Sequence, residues 1–244
     1  MTIVAFAGPS LSTADRDALP GVDWRPPAQA GDVLRLAAGD AANLRLCLID
    51  GYFDHRPAVR HKELLLLLAK GARIFGAASI GALRAAEMDG FGLIGVGAIY
   101  AAYARGSLTG DDEVALIHAG AERDWRPLSV PLVDVRATLC AARRAGVIAR
   151  DEARALVHAA AAIHYVDRRW SPICETLADA GRRAAFAAWL ETGVVAQKRA
   201  DALACLRAAL QDAGPGREPP APVYTCFVDS LARACGVDPA AIRP

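Results

Sequence analysis

Ser79 stands among small residues, in the run Ala77-Ala78-Ser79-Ile80-Gly81, at the end of an apolar stretch and just ahead of a helical pattern. A serine on a cramped strand-to-helix turn is the layout of a nucleophile that attacks a carbonyl. Backbone N–H groups at the helix start would then face the developing oxyanion. The same position also suits a plain helix cap, and the pattern supports both roles. His61, Lys62 and Glu63, in the second turn of a helix read as opening at Pro57, bring candidate bases. An imidazole or a desolvated lysine could take the serine proton, whereas a solvated, charged helix start is the plainer reading. Arg84 and Glu87, three apart on the Ser79 helix, either pair with each other or organise the site.

A second group is Asp111, Asp112, Glu113 and His118. Acidic residues suit a helix N-terminus through the macrodipole, and Thr109 with Asp112 reads as a capping box. Asp111 and His118, seven apart, would share one helical face. No metal-ligand spacing is met, so neither a metal nor a cofactor is expected. His55, His158 and His164 read as packing or surface residues.

The elements that must position these groups are strands and helices in alternation. Thr2–Ala7, Leu44–Ile49 and Arg73–Ala78 are β-branched or apolar runs of the kind buried on both faces, and Val22–Trp24 is a shorter fourth. Helical stretches cover Thr13–Leu19, Gly31–Ala38, Pro57–Lys70 and the segment after Ser79, with Gly8-Pro9-Ser10 and Asp50-Gly51-Tyr52-Phe53 as connections. Such repeats imply parallel strands whose carboxyl ends share one edge, where Gly8, Ser10, Asp50, the start of the Pro57 helix and Ser79 should converge. From about Ser129 the period becomes helical throughout: Pro131–Ala145, Asp151–Tyr165, Pro172–Leu190 and Val194–Leu210. The expected fold is α/β, a parallel Rossmann/flavodoxin-like open sheet followed by an all-helical C-terminal region. The expected divisions are 1–125 (core), 126–212 (helical) and 213–244 (linker and tail).

Bulk properties narrow the partners. The 244 residues are 54% hydrophobic with a formal net charge of +1, enough for a core and without the basic footprint of a nucleic-acid binder. The apolar run Leu64–Ala69 is too short to span a bilayer, and the start lacks a basic n-region, so a cytoplasmic, soluble protein is expected. The six cysteines contain no CxxC pair and read as reduced thiols in or near the core.

Several ordered motifs together resemble the TfuA-like family: Ala7-Gly8-Pro9-Ser10, Asp50-Gly51-x-Phe53, His61-Lys62-Glu63, Gly76–Glu87, Gly95-x-Gly97-x-x-Tyr100 and Asp111–His118. The match runs from about Val4 to His118. Tyr165-x-x-Arg168-x-Trp170 and Lys198-Arg199-x-Asp201-Ala202 resemble its C-terminal part more loosely. The resemblance implies a partner of a YcaO-type cyclodehydratase in thioamidation of a ribosomally made peptide. It also implies release of sulfide from a thiocarboxylated ThiS-like carrier, with the precursor peptide as a further candidate partner. On that reading Ser79 is the nucleophile and Lys62 or His61 the base. Backbone N–H groups near Gly8, Ser10 and Ile80 form the oxyanion hole, and Asp50 and Arg84 contact the substrate. Glu63, Glu87, Asp111, Asp112, Glu113 and His118 organise the site. A non-catalytic subunit that activates the YcaO enzyme is the alternative. A phosphate binder using Gly8–Ser10 is weaker, since no P-loop or GxGxxG follows.

Overall fold

The structure, a computed structural model, describes residues 2–243 apart from 53, 55, 215–220, 222 and 223. Phe53, His55 and most of the linker read at 213–222 therefore lie outside the described residues. The chain forms two compact units, residues 1–109 with 200–244 and residues 110–199.

In order, the first unit contains β1 (Thr2–Phe6), α1 (Thr13–Asp17), β2 (Val22–Arg25), α2 (Asp32–Ala37), β3 (Leu44–Leu48), α3 (His61–Ala69), β4 (Arg73–Gly76), α4 (Ile80–Met88), β5 (Ile94–Gly95) and α5 (Gly97–Ala104). The second contains α6 (Leu132–Arg144), α7 (Arg150–Ala162), α8 (Trp170–Cys174) and α9 (Ala180–Gly193). Then follow α10 (Gln197–Gln211), which spans the boundary, and α11 (Cys226–Ala234) in the first unit.

All strand pairs are parallel and the order is β2-β1-β3-β4-β5. This is the flavodoxin-like order, whose switch point falls between β1 and β3. Alternate residues of each strand enter opposite cores, which is why the runs read as continuously apolar. Val4, Phe6, Leu46, Leu48 and Ile74 pack with Leu34, Leu64, Leu67, Ala85 and, from the chain's end, Val228 and Ala232. Ile3, Ala5, Cys47, Ile49 and Phe75 pack with Leu11 and with Ala202, Cys205, Leu206 and Ala209 of α10. Segments distant in sequence thus cover both faces.

Four local expectations are corrected. Helix α3 opens at His61 rather than Pro57, because the Glu63 carboxylate accepts from Arg60 N at 3.1 Å and holds Arg60 extended. Pro57 lies in the lead-in, its carbonyl accepting from Ala30 N at 2.8 Å. The glycine-dense stretch hides β5, two residues long and too short for a periodic signal. Asp111–Glu113 form a single 3-10 turn whose cap is Gly110, and His118 sits in an antiparallel bridge with Pro127. Asp111 and His118 therefore share no helical face, and no Thr109 capping box forms. The expected Pro172–Leu190 helix is two, with Asp179 accepting from Arg182 N at 2.7 Å to start α9.

In the second unit α6–α9 enclose Leu139, Leu156, Ile173 and Phe186. Arg168 is wholly buried there and donates to the carbonyls of Ala160 and Ile163 at 2.9 and 3.1 Å. It thereby ties down the carboxyl end of α7, beside the Ile163 N bond to Ala160 O. No helix among the described residues is long and apolar enough to cross a membrane.

Candidate functional site

Beyond β4 the chain makes a three-residue turn. Ser79 N donates to Ala77 O at 2.8 Å across Ala78, which holds φ +64°. A positive φ at the centre of such a turn is the rare, strained form, and Ala78 carries a Cβ that disfavours it. The turn persists because its flanks are fixed. Ala77 N donates to Leu48 O at 3.1 Å and Gly81 N to Ile49 O at 3.3 Å, so both sides are bonded to the end of β3. Ser79 itself is nearly buried, and its side chain makes no capping bond to α4, so the plain-cap reading is not what the structure shows. Ile80 N–H has no acceptor among the described residues, as expected for the first residue of a helix without a side-chain cap.

The loop after β1 has a different role from the one expected. Asp50 Oδ2 accepts from Gly8 N and Ser10 N, both at 2.9 Å, while Oδ1 accepts from Ser10 Oγ at 2.7 Å. Those N–H groups are committed to a buried carboxylate rather than presented to an oxyanion. Asp50 instead clamps the β1 loop across the switch point. The next residue, Gly51, lies against Ile80, where a Cβ would collide with the isoleucine side chain.

Around the start of α3, His61 Nε2 is 2.8 Å from Glu87 Oε2, and Arg84 Nη1 donates to the same oxygen at 2.6 Å. Arg84 Nε also donates to Val59 O at 3.0 Å, tying α4 to the lead-in of α3. The pairing expected for Arg84 and Glu87 is therefore present, with His61 as a third member. A carboxylate on Nε2 fixes the imidazole tautomer and leaves Nδ1 as the proton acceptor. Lys62 Nζ donates to Thr225 Oγ1 at 3.1 Å. Neither His61 nor Lys62 is hydrogen-bonded to Ser79.

Glu63 faces away from this cluster. It is fully buried, with Oε2 accepting from Gly31 N at 2.8 Å and Oε1 from Arg60 N. Burial pushes its carboxyl up from 4.5 to about 7, against the opposing pull of backbone donors. Between those values the folded state keeps a proton that the unfolded chain releases. Stability should therefore fall as pH rises from 4.5 to about 7, by on the order of 3 kcal/mol in total. Glu63→Gln, which cannot ionise, is expected to flatten that slope relative to wild type in thermal melts taken across the same range.

The acidic cluster lies in the second unit, and two of its three acids meet arginines. Glu113 holds Arg136 through two bonds of 2.6 and 2.9 Å, and Asp112 Oδ2 is 3.5 Å from Arg168 Nη2. His118 Nδ1 meets Ala119 O at 2.7 Å, while Asp111 is exposed. Among the described residues no three His, Cys, Asp or Glu side chains converge to hold a metal. Asp201, by contrast, accepts from Ile99 N at 2.8 Å and so supplies the missing cap of α5 from another helix.

Four features escaped the sequence reading. The positive φ of Ala78 has no local signal, since alanine gives no hint of it. Arg60 and Phe227, the latter from α11, line an open cleft with His61, Lys62 and Arg84, and Thr225, the cap of α11, accepts from Lys62. Only Arg60, beside the His61-Lys62 pair, was within reach of local inspection. A family model described as "TfuA-like protein" matches residues 50–169. No curated protein matches the chain.

Proposed function

The chain belongs to the TfuA-like family through residues 50–169, a family associated with YcaO-dependent thioamidation, and on that premise we propose that it is the sulfide-releasing hydrolase of such a system. Its substrate in this reading is the C-terminal thiocarboxylate of a ThiS-like carrier. The observation that carries the reading is the turn at Ala78, a strained backbone that sets a serine ahead of an unbonded helix N–H.

Ser79 Oγ attacks the thiocarboxylate carbon, and the C–S bond breaks. Hydrosulfide departs with the proton that the base removed from the hydroxyl, leaving an ester of the carrier on Ser79. Water then cleaves the ester, giving carrier carboxylate and restoring the serine. His61, held by Glu87, carries the proton in both halves. Ile80 N–H bonds the oxyanion. Lys62 offsets the negative charge of the thiocarboxylate, which otherwise repels a nucleophile. The YcaO partner takes up the sulfide.

The test is sulfide evolution by the purified chain alone from thiocarboxylated carrier. Release in the absence of the YcaO enzyme supports the hydrolase reading. No release, with acceleration of the YcaO enzyme supplied with free sulfide, favours the activating subunit instead.

A further inference from the structure

We propose that the open cleft at the start of α3, about 480 Å³ in volume, is the seat for the carboxylate end of an extended protein tail. This rests on the carrier reading above and assigns the carrier's last residues a place. The cleft is bordered by Arg60, His61, Lys62, Arg84 and Phe227 with the apolar stretch from Pro57 to Val59. Its positive charge is unevenly neutralised. Arg84 is paired with Glu87, which also meets His61, whereas Arg60 and Lys62 have no carboxylate partner among the described residues. Lys62 meets only a hydroxyl, and the Arg60 guanidinium lies over the Phe227 ring, 4.9 Å from its centroid.

Glu63, the acid next to Lys62 in the chain, is turned inward onto Gly31 N and Arg60 N. The N–H groups of His61 and Lys62, in the first turn of α3, also have no acceptor among the described residues. Because the whole chain carries a formal charge of only +1, this is a local concentration of positive charge and of donors. It calls for an anion.

The wall composition says which kind. Phe227 is 46% exposed, a large aromatic beside the proline-led segment that precedes α3. A free phosphate has no use for an apolar wall, and a cleft of this size holds more than one ion. A chain end satisfies both halves. Its carboxylate or thiocarboxylate sits between Arg60 and Lys62, and its backbone lies along 57–60 and against Phe227. Charge-assisted bonds from Arg60 to that terminal group then supply affinity.

The test is calorimetric binding of a ThiS-like carrier in its carboxylate form, compared with the same carrier ending in an amide. Wild type is expected to prefer the carboxylate by about tenfold or more, and Arg60→Ala to lose that preference while Arg60→Lys keeps part of it. Circular dichroism confirms that the Arg60 variants fold. The Ser79→Ala protein is expected to bind like wild type, so a failed nucleophile assignment leaves this result intact. Equal binding of acid and amide overturns the proposal, as does an Arg60→Ala protein with wild-type affinity. So does tight binding of inorganic phosphate or ATP that is lost in Arg60→Ala while the carrier goes unbound.

Discussion

Ser79→Ala is expected to slow sulfide release from thiocarboxylated carrier on the order of 10³-fold or more, with carrier affinity unchanged. A group that acts only on the reacting carbon contributes to the barrier and not to ground-state binding, so kcat falls and the dissociation constant does not. Residual turnover comes from whatever holds and polarises the carbonyl, here Ile80 N–H at the start of α4. Ser79→Cys keeps a nucleophile in the same turn and should retain part of the rate. Stopped-flow sulfide detection under single-turnover conditions, with binding measured separately, resolves the two quantities.

Gly81→Ala is expected to destabilise the first unit by about 3–5 kcal/mol or to prevent its folding. Glycine to alanine within a helix ordinarily gains about 0.5–1 kcal/mol, so the sign is reversed. The cause is backbone approach: a Cβ on Gly81 would overlap the Leu48 carbonyl, and Gly76 faces the Gly81 carbonyl with the same lack of room. Neither neighbour is a flexible side-chain tip, so α4 would have to lift from the ends of β3 and β4. The Gly81 N to Ile49 O bond and the Ser79 turn would go with it. Gly90→Ala is the control, because nothing lies within 4 Å of a Cβ there. Its effect should stay within about 1 kcal/mol in the same denaturant titration.

These two variants mark what the sequence made legible. The parallel sheet was readable because β1, β3 and β4 are apolar runs buried on both faces, and their short connections allow only right-handed crossovers. Ser79 at a strand end followed from the same pattern. The cover of the sheet was not readable, since Ala202 to Ala209 and Val228 to Ala232 reach it through contacts that no local period reports. The start of α3 was misread for a related reason. Proline favours a first helical turn, but the Glu63 carboxylate on Arg60 N and the Ala30 bond to Pro57 O outweigh that preference. Gly8 and Ser10 looked like donors for an oxyanion because a glycine-led loop at a strand end often is one. In the folded chain Asp50, forty residues on from Ser10, already occupies both N–H groups.

The strained turn at Ala78 gives these pieces a common centre, and covalent capture tests it most directly. Wild-type protein is mixed with an equimolar amount of thiocarboxylated carrier, quenched in acid during the burst of sulfide, and digested for mass analysis. The account predicts a carrier ester, lighter than the free components by the mass of hydrogen sulfide, on the peptide that contains Ser79. It predicts neither burst nor ester for Ser79→Ala. A sulfide burst of wild-type amplitude and rate from Ser79→Ala, with no ester on the wild-type peptide, would contradict it.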